Sequence, residues 1–424
     1  MVALEAFEIQ GPCRLEGEVA IEGAKNFALP AVAASLLTDS PVRITNAPKV
    51  QDLHTLVRIL QGLGAAVEWE DGTLALRARG VRRQDPPYDL VRRMRASVLL
   101  LGPLLARFGR ARIPLPGGCA IGQRPVDMHI AGLRHMGADI AVEHGDLVAT
   151  AKRLKGARYT FPKVTVTGTE NLMMAATLAE GTTILRNCAQ EPEVTALTRM
   201  LAAMGARIEG AGTSTLTLEG VKELQGCTFD VIPDRIEAGT YLLLGAMLAG
   251  SRVAVTGVHS GDLTSLLDQM ADAGVSLEIG RDRIAVTANE GLAARSVVTA
   301  PYPGFATDLQ AQYIAAMTQA AGVATVEETI FENRFQHVME LQRMGADITL
   351  SGRTAVVRGG ARLSGAPVMA SDLRASACLV MAALAADGAT LVRRIYHLDR
   401  GYFHMEKKLQ ALGAGIRRVT VEGV

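Results

Sequence analysis

The chain has 424 residues, 49% of them hydrophobic, which is enough for two or three domains that each bury a core. Its 44 Lys and Arg nearly balance 43 Asp and Glu, and this balance argues against nucleic-acid or membrane partners. No apolar run reaches the roughly 18 residues of a membrane span, and the acidic start does not resemble a signal peptide. We therefore expect a cytoplasmic protein.

Six apolar helices are predicted in chain order, at "NFALPAVAASLL", "RASVLLLGPLLARF", "ENLMMAATLAE", "EAGTYLLLGAML", "LQAQYIAAMTQAA" and "RASACLVMAALAA". After each comes an alternating strand such as "TTILRN", then a loop, and then an amphipathic helix such as "VTALTRMLAAMGA". A related phrase recurs every 68 to 73 residues, with its glycine at Gly64, Gly137, Gly205, Gly274, Gly345 and Gly413. Such self-similarity predicts an α/β protein built from six copies of one unit, with three units per domain and a join near Pro233.

The start of each apolar helix carries polar or charged residues. For an acid there, such as Asp372, a helix-capping role explains the position at least as well as a functional role does. Bases at Lys25, Arg95 and Arg374 instead oppose the helix dipole, and either a bound anion or a neighbouring acid would offset that cost. Both explanations stay open at this point.

A second polar set occupies the loops that follow the alternating strands. Arg124, Arg334 and Arg400 lie in these loops of the second, fifth and sixth units. Equivalent loops of repeated units emerge at equivalent edges, so we expect the arginines to converge on a cleft between the two domains. Guanidinium groups suit anions that carry phosphate and carboxylate together.

The loop "PLPGGCAIGQRPVD" places Cys119 between glycines and prolines, which is typical of a hinged flap. Nearby Arg124 would lower the thiol pKa and fit Cys119 for acid or nucleophilic chemistry, although an incidental exposed cysteine is the alternative. The chain's cysteines are odd in number and scattered, with no CxxC pair and no histidine at metal-ligand spacing: Cys13, Cys119, Cys188, Cys227 and Cys378. We expect neither disulfides nor a metal or other cofactor.

These segments resemble the UDP-N-acetylglucosamine 1-carboxyvinyltransferases, a family of enolpyruvyl transferases. The resemblance covers essentially the whole chain, in the family's order: "GAKNFALP", "MRAS", "LPGGCAIGQRPVDMH", "PDRIEAGT", "TDLQAQ", "FENRFQH", "SDLRAS" and "IYHLDRGY". It implies two inside-out α/β domains of three repeats each, with an active-site cleft between them. The N-terminal strand would join the second domain, giving 25–232 and 1–24 plus 233–424.

The resemblance also implies a reaction, the first committed step of peptidoglycan synthesis and the target of fosfomycin. The enolpyruvyl group of phosphoenolpyruvate moves to the 3′-hydroxyl of UDP-N-acetylglucosamine by addition and elimination through a tetrahedral ketal, and phosphate is released. The implied partners are these two small molecules, and we expect a monomer or weak oligomer.

Residue roles follow from the matching motifs. Cys119 resembles the proton donor, which in this family also bonds to phosphoenolpyruvate, and Asp308 resembles the base on the sugar hydroxyl. Lys25, Arg124 and Arg400 resemble the residues that bind phosphoenolpyruvate, with Asn26 beside them. Of these, Lys25 and Arg400 are also expected to be catalytic. Residues that resemble the nucleotide-sugar contacts are Arg95, Arg124, Pro125, Val126, Asp127, Met128, Lys163, Thr165, Val166, Thr167, Asp308 and Ile330, and Arg334 and Arg374 complete the substrate-binding set.

Three positions depart from the family pattern: Met128 where leucine is common, Ile330 where valine is common, and Thr167 in place of a glycine. Other functions are also compatible with parts of this sequence. Transfer to shikimate 3-phosphate fits "GSKS" without a flap cysteine, whereas this chain has "GAKN" and Cys119. A nucleotide-sugar binder without catalysis is a second alternative. The related fold of RNA 3′-phosphate cyclases is disfavoured by the 4% aromatic content.

Overall fold

The structure is a computed structural model that describes residues 3–92, 94–115, 126–288 and 291–422. Its α-helices are α1 (Lys25–Ala34), α2 (Gln51–Leu63), α3 (Tyr88–Val91), α4 (Leu101–Phe108), α5 (Asp127–His135), α6 (Val166–Ala176), α7 (Pro192–Ala203), α8 (Arg235–Met247), α9 (Thr264–Asp272), α10 (Gln310–Thr318), α11 (His337–Arg343), α12 (Leu373–Ala385) and α13 (Met405–Ala411). Short 3₁₀ helices occupy Ser35–Leu37, Ala78–Gly80, Arg95–Leu100, Ser260–Leu263, Thr307–Leu309 and Ile395–His397.

The strands are β1 (Ala3–Gly11), β2 (Glu16–Ala20), β3 (Val42–Thr45), β4 (Ala66–Glu70), β5 (Thr73–Arg77), β6 (Arg110–Pro114), β7 (Asp139–Glu143), β8 (Asp146–Thr150), β9 (Arg158–Thr160), β10 (Thr182–Arg186), β11 (Arg207–Glu209), β12 (Thr215–Glu219), β13 (Thr228–Asp230), β14 (Arg252–Thr256), β15 (Ser276–Ile279), β16 (Arg283–Thr287), β17 (Val297–Val298), β18 (Val323–Glu327), β19 (Asp347–Ser351), β20 (Thr354–Arg358), β21 (Pro367–Met369), β22 (Gly388–Arg393) and β23 (Gly415–Glu422).

Within the described residues these strands form six small sheets, five with four strands and one with three. The four-stranded sheets share one plan, shown by the order β9-β10-β12-β11: the outer strand β9 is parallel to β10, and the other neighbours are antiparallel. The three-stranded sheet has the order β6-β8-β7. The predicted α/β fold of six repeated units is therefore confirmed.

The chain divides into two compact units. Among the described residues, the first unit comprises 23–115 and 126–232, and the second unit comprises the N-terminal segment up to Glu22 together with the chain from Pro233 onward. In the second unit the N-terminal strand β1 lies between β22 and β23 and is antiparallel to both. Strand β2 runs parallel to β14 in another sheet of that unit.

The centre of each unit is made of helices. In the second unit α8, α10 and α12 pack against one another, and every residue of Gln310–Thr318 is buried. In the first unit α6 packs against both α1 and α4, and α1 also packs against the 3₁₀ helix Arg95–Leu100. A helix that is apolar on all sides requires contacts on all sides, which explains why the sheets lie outside with one exposed face. The six predicted apolar helices are confirmed, the second one as the 3₁₀ helix Arg95–Leu100 followed by α4. No helix in the described part of the chain has both the length and the apolar character needed to cross a bilayer.

The repeated glycines end the six amphipathic helices α2, α5, α7, α9, α11 and α13. All six have positive φ, for example +83° at Gly274. At this end the N–H of Gly274 donates to Ala271 O at 2.9 Å, and the N–H of Val275 donates to Met270 O at 3.0 Å. Glycine adopts this left-handed conformation without a Cβ clash, so the recurring glycine marks a recurring helix terminus.

Replacing Gly274 tests this explanation. A Cβ added at Gly274 would meet no atom within 4 Å, so Gly274→Ala isolates backbone strain and should lower the free energy of unfolding by about 1 kcal/mol. Gly261 of the same unit also has open space but lacks positive φ, so Gly261→Ala is the matched control. Urea unfolding followed by circular dichroism measures both variants, and equal stabilities would contradict the strain argument.

Candidate functional site

In the first unit, Lys25 opens the central helix α1 and pairs with an acid from the next helix. Its Nζ lies 3.1 Å from Oδ2 of Asp52, which stands in the first turn of α2. A base at this helix start is explained by either a bound anion or a neighbouring acid, and the structure shows that a neighbouring acid is present. The pair fixes an ammonium group at the N-terminus of α1, directly before Asn26.

Several predicted site residues cannot be placed because they lie outside the described part of the chain. Cys119, Arg124 and Pro125 lie outside the described residues, in the chain segment between β6 and α5. Arg95 begins the 3₁₀ helix Arg95–Leu100, but its side chain is likewise outside the described part. The roles assigned to these residues stay predictions.

The two segments predicted to contact the nucleotide sugar come together within the first unit. Residues 126–128 lead into α5, and residues 163–167 lead into α6, which packs against α5. The Tyr159 hydroxyl donates to the backbone carbonyl of Met128 at 3.4 Å. The Thr165 hydroxyl accepts from the N–H of Gly168 at 3.3 Å and caps α6. Lys163, just before this cap, is exposed.

A buried histidine that the sequence analysis did not select joins these segments. Nδ1 of His129 lies 2.9 Å from Nδ2 of Asn171, whose Oδ1 accepts from the N–H of Gly102 at 2.7 Å. Because that contact orients the amide, Nδ1 is an acceptor and Nε2 carries the proton that faces Thr167 Oγ1 at 3.4 Å. Burial lowers the pKa of His129 to about 4, against a smaller opposite effect of Asp127, so the ring is neutral at neutral pH.

This contact gives Thr167 a role that a glycine could not have, because glycine has no side-chain oxygen. His129 directly follows Met128, but nothing in its spacing predicted a partner 38 residues later. The one signal that could have found it is its place at the end of the motif "LPGGCAIGQRPVDMH".

In the second unit, Asp308 lies between two arginines. Its Oδ1 accepts from Arg334 Nη2 at 2.6 Å and its Oδ2 from Arg374 Nη2 at 2.8 Å. The arginine side chains are 4% and 6% exposed, and that of Asp308 is 26% exposed. Each carboxylate oxygen therefore binds one largely buried guanidinium, and three predicted site residues are brought together.

The ion pairs set the charge of this group. Desolvation raises the pKa of Asp308, but the charges of Arg374 and Arg334 and their hydrogen bonds outweigh it and hold the pKa well below its ordinary value. Desolvation lowers the pKa of Arg374, and the charge of Asp308 more than offsets this. Asp308 is thus ionised at neutral pH and is a weak base.

Glu328, a second residue missed from the sequence, organises the loop that carries Ile330. Its Oε1 accepts from the backbone N–H groups of Ile330 and Phe331 at 2.8 and 3.0 Å, and its Oε2 accepts from Thr307 Oγ1 at 2.8 Å. Thr307 in turn accepts from Arg334 Nη1 at 2.8 Å. This fully buried carboxylate therefore ties the Ile330 loop to the Asp308 cluster.

Arg400 lies in the turn after the 3₁₀ helix Ile395–His397. Burial, followed by the charge of Arg400, lowers the pKa of His397. The residue before Arg400, Asp399, accepts two hydrogen bonds from Arg418, at 3.0 Å and 2.8 Å. Such a fork–fork pair orients the turn that presents Arg400.

The cluster of Asp308, Arg334 and Arg374 is suited to anion binding. The buried Nε of Arg334 has no hydrogen-bond partner among the described residues. A buried guanidinium N–H needs an acceptor, and carboxylate or phosphate oxygens provide one in the required plane. Across the described residues, no group of three or more His, Cys, Asp or Glu side chains is arranged to hold a metal ion.

Comparison with known proteins shows similarity to a family model, to a curated relative and to solved structures. A family model described as EPSP synthase (3-phosphoshikimate 1-carboxyvinyltransferase) matches residues 9–409. A protein of Desulfosudis oleivorans named UDP-N-acetylglucosamine 1-carboxyvinyltransferase is 52% identical over 97% of this chain and 99% of its own length. The crystal structure of the enolpyruvyl transferase NikO from Streptomyces tendae is 27% identical, with a TM-score of 0.89, over 99% of this chain and 100% of that chain. An EPSP synthase structure from Acinetobacter baumannii, 18% identical with a TM-score of 0.75 over 98% and 100% of the chains, shows the shared fold.

Removing the Asp308 charge tests the double ion pair. Asp308→Asn leaves two buried guanidinium groups without their counter-ion and should lower the free energy of unfolding by about 3 kcal/mol at pH 7. A carboxyl whose pKa is lowered by folding stabilises the protein above its unfolded pKa, and this stabilisation is lost as the pH falls through the folded pKa. The deficit relative to wild type should therefore begin to shrink below about pH 4, near the pKa of an unfolded aspartate, and should keep shrinking as the pH falls toward the lowered pKa of the folded protein.

Chemical denaturation across that pH range measures the difference. Asp347→Asn is the matched control because Asp347 pairs at 3.4 Å with Arg358 on the surface of the same unit, where an ion pair contributes little. A pH-independent deficit for Asp308→Asn would contradict the assignment of the lowered pKa.

Proposed function

Because the chain belongs to the EPSP synthase family of carboxyvinyl transferases, we propose that it transfers the enolpyruvyl group of phosphoenolpyruvate to the 3′-hydroxyl of UDP-N-acetylglucosamine. Phosphate is released, and the product enters peptidoglycan synthesis. The observation that carries the proposal is the full-length match, at 52% identity, to a protein named for this acceptor. The arginine cluster around Asp308 supports it with groups that suit an anionic substrate.

The reaction requires one proton at the methylene carbon of phosphoenolpyruvate and a base at the acceptor hydroxyl. The Cys119 thiol gives its proton to that carbon, positive charge develops at the adjacent carbon, and the 3′-oxygen attacks there. The hydroxyl proton passes to Asp308, and the product is a tetrahedral ketal that still carries phosphate. The Cys119 thiolate then takes back a proton from the new methyl group as the carbon–oxygen bond to phosphate breaks. This restores the double bond, and the departing phosphate accepts the proton held by Asp308.

A carboxylate with a lowered pKa is sufficient for this step. An alcohol is a very weak acid before attack, but its oxygen becomes strongly acidic once it bonds to the cationic carbon. A weak base therefore accepts the proton as the carbon–oxygen bond forms. The pairs with Arg334 and Arg374 keep Asp308 ionised and oriented, which matters more for this role than high basicity.

The remaining groups bind the two substrates. Lys25, Arg124 and Arg400 neutralise the phosphate of phosphoenolpyruvate beside Asn26, and the unpaired Nε of Arg334, with Arg374, suits its carboxylate. The nucleotide sugar contacts the following residues: Arg95, Arg124, Pro125, Val126, Asp127, Met128, Lys163, Thr165, Val166, Thr167, Asp308 and Ile330.

His129 supports the proposed nucleotide-sugar contacts because it links residues 126–128 to Thr167. No step of this chemistry requires a metal or another cofactor. We place the reaction in the cytoplasm, where both substrates are made, and expect the enzyme to act as a monomer or weak oligomer.

One other acceptor is favoured by a specific observation. The matching family model is described as a 3-phosphoshikimate 1-carboxyvinyltransferase, so shikimate 3-phosphate is the second candidate acceptor. The first helix opens with "GAKN" rather than "GSKS", and the loop carries Cys119, and both features favour the amino sugar.

Phosphate release from phosphoenolpyruvate decides between the acceptors. Purified protein should release phosphate with UDP-N-acetylglucosamine and not with shikimate 3-phosphate, as read by a colorimetric phosphate assay. Turnover only with shikimate 3-phosphate would assign the other acceptor. Binding of UDP-N-acetylglucosamine without turnover would instead indicate a protein that has lost catalysis.

Substitution of Cys119 tests the proton-donor role. Cys119→Ser should lose most activity because a hydroxyl is a far weaker acid than a thiol, whereas Cys119→Asp should keep some activity and resist fosfomycin because it lacks the reactive sulfur. Steady-state kinetics with and without fosfomycin measures both effects, and Cys188→Ser, at a buried cysteine, is the control. Full activity of Cys119→Ala would remove this role from Cys119.

A further inference from the structure

Tyr402, two residues after Arg400, is one of the largest fully buried side chains of the second unit. Its hydroxyl lies 2.8 Å from Thr240 Oγ1 on α8, 3.3 Å from Gln312 Nε2 on α10 and 3.3 Å from Arg374 Nη1 on α12. One hydroxyl therefore contacts all three central helices. Neither the reaction proposed above nor the family motifs assign it a role.

The direction of each hydrogen bond follows from the partners. Thr240 Oγ1 donates its proton to Ile236 O at 2.8 Å, so it accepts from the Tyr402 hydroxyl. The contacting atoms of Gln312 and Arg374 are an amide nitrogen and a guanidinium nitrogen, which can donate but not accept. The Tyr402 oxygen therefore accepts from both. The hydroxyl thus donates once and accepts twice, which is its full capacity.

The contact with Arg374 leads directly to Asp308. Arg374 uses Nη1 on Tyr402 and Nη2 on Asp308 Oδ2, so the two bonds hold the guanidinium plane from both edges. The guanidinium carbon also lies 5.7 Å from the centre of the Tyr402 ring. A hydroxyl that is itself fixed by two helices therefore sets where Arg374 presents its charge.

Tyr402 also belongs to the turn of Arg400. A Cβ added at Gly401 would lie 2.6 Å from Leu373 Cδ2, so the backbone between Arg400 and Tyr402 packs directly on the start of α12. On the other side of Arg400, Asp399 is held by Arg418. The turn is consequently anchored at both ends, and the Tyr402 hydroxyl is the anchor that reaches the Asp308 cluster.

We propose that Tyr402 is a positioning residue, which holds Arg374 against Asp308 so that the carboxylate faces the acceptor hydroxyl in the orientation that transfer requires. The inference rests on the proposed function for its kinetic consequence. Tyr402 touches no reacting atom in this scheme and acts through Arg374.

Tyr402→Phe keeps the ring and removes only the hydroxyl. Loss of a hydrogen bond to a charged group should lower kcat about tenfold, while KM for UDP-N-acetylglucosamine changes less than about twofold. Tyr313→Phe is the matched control. Tyr313 is an equally buried tyrosine on α10 whose hydroxyl donates to Arg295 O at 2.9 Å, so this variant should lower the urea midpoint and leave kcat unchanged.

A double-mutant cycle separates positioning from a general loss of stability. Arg374→Lys keeps the charge near Asp308 but cannot bridge to Tyr402 with a planar fork. If Tyr402 acts through Arg374, adding Tyr402→Phe to Arg374→Lys should lower kcat less than about twofold. Multiplicative effects, or a kcat loss in Tyr313→Phe as large as in Tyr402→Phe, would overturn the proposal.

The same cycle is also measured on the urea midpoint, which needs no substrate. Non-additive shifts of Tyr402→Phe and Arg374→Lys support the coupling, and additive shifts refute it. Absence of turnover in the wild-type protein would refute the proposed function, and this cycle would then decide the coupling alone. Should Tyr402→Phe fail to fold, Thr240→Val removes the acceptor of the Tyr402 proton and should lower kcat in the same direction.

Discussion

The Asp308 carboxylate, held between Arg334 and Arg374, is the interaction on which the polar network of the second unit depends. The two guanidinium groups are almost fully buried, so the Asp308 carboxylate is needed as a counter-ion that offsets the cost of their desolvation. The neighbouring polar groups serve this arrangement: Glu328 orients Thr307, which accepts from Arg334, and Tyr402 accepts from Arg374. The cluster is thus one connected network, and its parts cannot be changed independently.

The fold makes such a network possible because helices occupy the centre of each unit. Residues on α8, α10 and α12 are largely buried, so a polar group on these helices needs a hydrogen-bond partner from within the protein rather than from water. Thr240, Gln312 and Arg374 meet this requirement through Tyr402. In the first unit Asn171 of α6 meets it through His129 and Gly102. Polar residues inside these helices therefore reflect pairing between repeats.

Bases at helix starts illustrate how one sequence feature has two physical explanations. Lys25 and Arg374 both oppose the local dipole, and both have an acid within hydrogen-bonding distance, Asp52 and Asp308. Those acids lower the cost of the buried positive charge. Asp372 accepts from the N–H groups of Arg374 and Ala375 and therefore caps α12, in agreement with the capping explanation for an acid at a helix start. The same helix start thus carries a structural acid and a base suited to binding.

The sequence by itself determined the six repeated units, their apolar central helices and the glycines that end the amphipathic helices, because periodicity and φ preference are local properties of the chain. It also selected the residue types of the candidate site. Only the tertiary structure decided the partners: Thr240 and Tyr402 are 162 residues apart, Asp308 and Arg374 are 66 apart, and His129 and Thr167 are 38 apart. No spacing rule relates such pairs, since each forms where separate helices pack together.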